Sequence, residues 1–191
     1  MYKMCKSEQS ANRQRELEQQ LLSMMKTTRF DEISVSDICI HANIPRKSFY
    51  RYFSGKEGAL HALIDHTLLD LENFPYAGGP MNSNIYRNEL VRFFQFWQAQ
   101  KTFLDALAFS GLSGELVTRT TDYALSNSAS TRRFMHNSEV NTQEYGTTFG
   151  VCGLMSMVLN WHKSGYLLSS EQMADISVNL LTKPLMQPLK K

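Results

Sequence analysis

The segment SVSDICIHANIPRKSFYRYFSGKE, residues 34–57, leaves a chain few choices of fold, because it packs helix starts and an enforced stop into a very short span. Val35, Ile38, Cys39 and Ala42 fall at i, i+3, i+4 and i+7, one apolar stripe on a two-turn helix. Ser34 stands before that stripe with Asp37 three residues on, the spacing in which a hydroxyl satisfies unpaired backbone N–H groups at a helix start. Asn43-Ile44-Pro45 then ends the helix, since the residue before a proline is pushed out of the α region. Pro45 itself suits the opening of the next helix, where its missing N–H costs nothing. The pattern predicts helices over 35–42 and about 46–53. A third is predicted to open with Ser54 and Glu57 as its box and to bury Leu60, Leu63, Ile64, Leu68 and Leu71.

Between Asn43 and Lys56 the only charged residues are Arg46, Lys47, Arg51 and Lys56, a local charge of +4 with no acidic residue among them. Phe49 and Phe53, at i and i+4, are expected to anchor the second helix on the first, which turns Arg46, Lys47, Ser48, Tyr50 and Arg51 outward. Four basic residues alone mark only a solvated face. On an oriented helix they form a donor-rich surface suited to the phosphates and base edges of double-stranded DNA. The overall charge of +2 says little, but its distribution is uneven: residues 1–60 hold ten Lys/Arg against seven Asp/Glu, and the remainder holds ten against eleven.

The rest of the chain is helical in period and shows no alternating β pattern, so the fold class is all-α. Helix one is expected over Ser10–Thr27 with Leu17, Leu21, Met24 and Met25 on one face. Tyr76–Ser83, with Gly78-Gly79-Pro80, is the expected junction, giving a three-helix helix-turn-helix domain over 1–75 and a helical C-terminal domain over 76–191. In the latter, helices are expected over Ile85–Ala99, Phe103–Phe109, Leu116–Leu125 and about Glu139–Lys163, the last capped by Gly165. A final helix opens at Ser169 with Gln172 as its box, carries Met173, Ile176, Leu180 and Leu181 as its apolar stripe, and stops at Pro184.

The pattern ISVSDICIHANIPRKSFYRYFSGKEGAL resembles the DNA-binding domain of TetR-type (tetracycline-repressor-like) transcriptional regulators, with the match covering roughly Glu16–Leu63 and resting on Tyr50, Phe53, Lys56 and Glu57. The resemblance implies a homodimer that sets one recognition helix in each major groove, and a C-terminal domain that dimerises and holds a small effector. It implies base-edge contacts for Arg46, Lys47 and Ser48, phosphate contacts for Tyr50, Tyr52 and Lys56, and hydroxyl contacts for Ser34 and Ser36. Pro45 departs from the serine or threonine common at its place, and Tyr52 from a histidine.

Other chemistry finds little support. The histidines at 41, 61, 66, 136 and 162 show no i, i+4 pairing, so no metal is expected, and Cys152 and His162 lie too far apart on one helix to act together. No enzyme activity and no cofactor are expected. Cys5, Cys39 and Cys152 are odd in number and unpaired in spacing, which fits reduced thiols in a cytoplasm. The stretch MYKMCKSEQS lacks the apolar core of a signal peptide, and no membrane association is expected. Trp97, Phe103, Tyr123, Phe149 and Trp161 are the candidate lining of an effector pocket, with ordinary core packing as the alternative. Gly146, Gly150 and Gly153 form a small-residue stripe suited to close helix approach, to an intrachain neighbour or across a two-fold axis, and the resemblance implies the latter, a four-helix dimer interface. The expectation is a ligand-responsive repressor on a palindromic operator. The alternative is a coactivator-type regulator whose C-terminal domain senses a protein partner.

Overall fold

The computed structural model describes residues 1–3, 5, 7–74, 83–126 and 140–182. Most of the expected junction at 76–83, the polar loop after Ser126 and His136 lie outside them. The described helices are α1 Glu8–Met25, α2 Val35–His41, α3 Arg46–Phe49, α4 Lys56–Glu72, α5 Ser83–Ala99, α6 Lys101–Phe109, α7 Ser113–Ser126, α8 Val140–Lys163 and α9 Ser170–Thr182. A 3-10 turn, Phe30–Glu32, precedes α2. Among the described residues there is no β-strand, only an isolated bridge between Tyr2 and Phe53, and no helix is long and apolar enough to cross a membrane.

The chain divides into two compact units: Met1–Glu72 with Thr102–Arg119, and Asn73–Lys101 with Thr120–Lys191. The expected boundary at 75/76 lies near the first crossing, but residues 102–119 pack with the N-terminal helices, which no shift in composition announces.

In the first unit, α1 starts two residues earlier than its apolar stripe suggests, because the Ser7 hydroxyl accepts the Ser10 N–H. Leu17, Leu21 and Met25 of α1 are buried with Ile33, Ile38, Phe49, Phe53, Leu60, Leu63, Ile64 and Leu68. Each such side chain contributes about 1.5–3 kcal/mol on removal from water. The same face of α1 also buries a charge. Glu18 is fully enclosed, and its carboxylate meets His66 Nδ1 at 2.8 and 3.0 Å. Burial pushes that carboxyl above the usual range, against the opposing pull of His66. Beside it, Asp65 takes a forked pair of hydrogen bonds from Arg119 of α7, at 2.9 and 2.5 Å, and a third from the Tyr2 hydroxyl at 2.9 Å.

Ser54 does not form its expected box with Glu57. Its hydroxyl donates to the Met1 carbonyl at 2.7 Å and accepts from the Met1 amino group at 3.0 Å. The extended start of the chain runs alongside Tyr52–Ser54, with Lys3 N–H on the Tyr52 carbonyl at 2.9 Å and Ser54 N–H on the Met1 carbonyl at 3.1 Å. Only a glycine fits beneath it, since a Cβ on Gly58 would stand 2.4 Å from the Met1 carbonyl oxygen.

In the second unit, α5 packs along α9 and against α8. Trp161 of α8 stacks edge-on against Phe94 at 5.6 Å and donates its indole N–H to the Leu168 carbonyl at 2.9 Å. Helix α8 ends as its glycine suggests. Gly165 has φ +73°, with Tyr166 N–H on the Trp161 carbonyl and Gly165 N–H on that of His162, both at 3.0 Å. Both halves of the box at α9 form: Ser169 N–H donates to Gln172 Oε1 at 2.8 Å, and Gln172 N–H to Ser169 Oγ at 3.3 Å.

The Tyr2 phenol is pushed up to about 12, first by burial and then by its hydrogen bond to Asp65. An unfolded tyrosine ionises near 10, so the contribution of Tyr2 is fully present below about pH 10 and is lost as the pH rises through the folded value. Tyr2→Phe is therefore expected to lower the urea midpoint at about pH 8, with the gap to wild type closing as pH is raised beyond about 10. A gap of constant size in pH-resolved urea titrations would refute the linkage.

Candidate nucleic-acid interface

The interface is built on α2, the turn at Asn43 and α3. Both halves of the box at Ser34 are present: its backbone N–H donates to Asp37 Oδ2 at 2.9 Å and the Asp37 N–H donates to Ser34 Oγ at 3.2 Å, while the Ser34 hydroxyl also donates to Asp37 Oδ2 at 2.6 Å. Those bonds hold the Asp37 carboxyl below its usual range. Helix α2 then stops at a left-handed residue, Asn43, with φ +50°. Asparagine tolerates this conformation better than most side chains, and it lets the chain reverse into Pro45.

Helix α3 is shorter than the expected 46–53. Regular α geometry covers Arg46–Phe49, and right-handed turns continue through Tyr52 N–H and Phe53 N–H on the Phe49 carbonyl, at 3.0 and 3.1 Å. Pro45 is its N-cap with no side-chain hydrogen bond, as expected for a residue standing where a hydroxyl is common. Phe49 and Phe53 are fully buried with ring centroids 5.1 Å apart. Their burial settles the orientation of the whole segment.

Arg46, Lys47 and Arg51 are exposed, and none makes a side-chain hydrogen bond or ion pair among the described residues. Tyr50 is 44 % exposed, its ring seated edge-on against Phe49 at 5.7 Å, while Ser48 and Tyr52 are half-buried. Ser36 is half-buried at the first turn of α2. Of these residues, Ser36 and Arg46 border a groove of about 570 Å³ that is also lined by Cys39, Ile40, Asn43, Ile44 and Pro45. Ile40, which falls off the apolar stripe of α2, is 77 % exposed there. Burial pushes the Cys39 thiol up, against the pull of Arg46.

Two of the expected contact residues already bond within the protein. The Ser34 hydroxyl has only one proton to give, and Asp37 takes it. The Lys56 ammonium donates to the carbonyls of Phe30, Asp31 and Ile33 at 2.9, 2.9 and 2.8 Å, which uses every N–H it has.

The five candidate pocket residues fall in different units and differ in burial. Trp97 and Trp161 are core of the second unit, Phe103 is core of the first, Tyr123 is half-buried, and Phe149 is 67 % exposed. Aromatic loading on an amphipathic helix reads the same whether the rings fill a core or line a cavity, which is why the sequence could not separate them.

No protein-family model matches the chain, and no curated protein does. Solved structures match it in shape. A TetR transcriptional regulator from Streptococcus agalactiae 2603V matches with a TM-score of 0.67 at 14% identity, over 92% of this chain and 96% of its own. This chain has the TetR-type fold. A TetR-family regulator described from Syntrophomonas wolfei has the same fold at a TM-score of 0.63 and 12% identity, over 88% of this chain and 92% of its own. The dihydroxyacetone kinase operon activator DhaS matches at a TM-score of 0.57 and 18% identity, over 88% and 93%. In the TetR-type fold the helix-turn-helix stands at the N-terminus and helices make up the remainder, as the sequence suggests.

Removing the anchor of α3 gives a direct check on how the surface is held. Phe49→Ala is expected to cost about 3–5 kcal/mol, read as a drop in the urea midpoint. A loss below about 1 kcal/mol would mean that the ring does not hold α3.

Proposed function

We propose that the chain is a DNA-binding transcriptional regulator that acts as a homodimer on an inverted-repeat operator, with one α3 in the major groove of each half-site. The observation that carries this reading is the division of labour on α3. Phe49 and Phe53 are fully buried, while Arg46, Lys47 and Arg51 remain outward with no partner among the described residues, in a chain of TetR-type fold. Arg46, Lys47 and Ser48 are assigned to base edges, and Ser36, Tyr50, Arg51 and Tyr52 to the backbone. Half-sites in such dimers lie about 34–36 Å apart or a multiple of that. Selection of bound sequences from a random duplex pool tests the reading: an inverted repeat is expected, and a pool without sequence preference would overturn it.

The dimer is supported by an apolar surface on α8 and α9. Tyr145 and Phe149 of α8 and Ile176, Leu180 and Leu181 of α9 are exposed, and Cβ atoms built on Gly150 and Gly153 meet nothing within 4 Å. A second copy laid on this face would form a four-helix interface. Ligand response is supported by Trp97, whose indole N–H is buried without an acceptor among the described residues. An unsatisfied buried donor costs about 1–3 kcal/mol, which the acceptor group of an effector would recover. Release then follows from an effector binding one arrangement better than the other.

A second reading is a coactivator-type regulator that senses a protein partner; the likeness to the operon activator DhaS favours only its activating half. Thermal-shift screening against metabolites separates the two, since only a small-molecule binder is stabilised in proportion to ligand concentration.

Arg46→Ala is expected to lose about 1–3 kcal/mol at its base pair and to relax specificity there, while Arg51→Ala should weaken all sequences alike and reduce the salt slope by about 0.9. Competition binding across a salt series measures both. Gly153→Leu, which has open space within the protomer, is expected to leave the fold intact and shift the protein to monomer in sedimentation runs. A dimer of unchanged affinity would remove α8 from the interface.

A further inference from the structure

We propose that Lys56 is the positioning residue of the helix-turn-helix: its ammonium locks the turn in front of α2, and through that turn sets the bearing of α3, instead of meeting a phosphate. The inference rests on the DNA-binding reading above and assigns one residue a different part in it.

Lys56 is the first residue of α4, and its side chain returns across the domain to a segment more than twenty residues earlier. There it bonds the carbonyls of Phe30, Asp31 and Ile33, all within 2.9 Å, with Phe30's ring 4.9 Å away. The other side of the turn is tied as well, because the Phe30 N–H donates to Ser110 Oγ at 3.0 Å. The last carbonyl of the set belongs to Ile33, which is buried, and the next residue is Ser34, the N-cap from which α2 grows. Holding Ile33 therefore holds the start of α2. Helix α2 packs on α3, so the base-reading side chains inherit that placement.

The chemistry is selective for lysine. Three carbonyl oxygens converge on a tetrahedral ammonium, which presents three N–H bonds from one atom and has none left for an outside oxygen. A planar guanidinium carries the same charge but spreads its donors in a flat fork and cannot cap that set.

The test compares wild type with Lys56→Met and Lys56→Arg in thermal melts without DNA, and in binding to the selected operator and to random duplex across a potassium chloride series at about 10 °C. Both variants are expected to melt about 3–12 °C lower. Both are expected to bind operator about tenfold or more weakly while fully folded, with the wild-type slope of log K against log salt. A direct phosphate contact predicts the reverse: Lys56→Met loses about 0.9 from the slope without a change in melting, and Lys56→Arg behaves as wild type. That result would overturn the proposal. So would lower melting with wild-type operator affinity, the mark of a purely stabilising role. Should wild type bind no duplex at all, the regulator reading fails on its own. Unchanged melting in both variants would then refute the ties to the turn as well, whereas lower melting would keep those ties and overturn only the positioning role.

Discussion

A helix as short as α3 does not hold itself in water, because isolated helices below about 12–15 residues are marginal even with favourable sequences. Its existence and direction depend on burying Phe49 and Phe53 in the core that also encloses Ile38 of α2. Two such rings contribute about 3–6 kcal/mol together, several times what an exposed ion pair on the same helix could add. The same burial decides where the charges go. An unpaired guanidinium or ammonium is far too costly to enclose, so once the rings face inward, Arg46, Lys47 and Arg51 are left in solvent. A surface for an anionic partner follows from an apolar constraint.

Polar contacts then settle what apolar burial leaves loose in the first unit. Glu18 and His66 tie α1 to α4, and Asp65 and Arg119 tie α4 to α7, each pair enclosed or half-enclosed. Replacing buried pairs of this kind by apolar side chains is often neutral for stability, so their value lies in accepting one alignment of the helices and refusing others. The forked pairs Arg15–Asp70 and Arg87–Asp175 are exposed, so solvent screens them and they add little.

Features that close within one helical turn were legible. The boxes at Ser34 and Ser169, the stop at Pro45 and the glycine cap at Gly165 all involve partners a few residues apart, and the residue types name the bonds they make. The surface of α3 was legible for the same reason, since an i, i+4 pair of rings defines an inner face and hence an outer one. Roles set by distant partners were not. Ser54 has the spacing of a cap and serves Met1 instead, Glu18 lies on a stripe read as apolar, and Phe103 joins a different unit from Trp97. Nothing near these residues in the chain distinguishes the two outcomes.

By itself, then, the amino-acid order determined an all-helical chain, where most of its helices begin and end, and the outward cations Arg46, Lys47 and Arg51, because caps, prolines and helical period act over one or two turns. Tertiary structure alone decided that residues 102–119 return to the N-terminal helices, that Glu18 is sheltered by His66, and that the Lys56 ammonium is enclosed by carbonyls. A long flexible side chain bonds whatever acceptors folding brings within its reach, and no local pattern records which those will be.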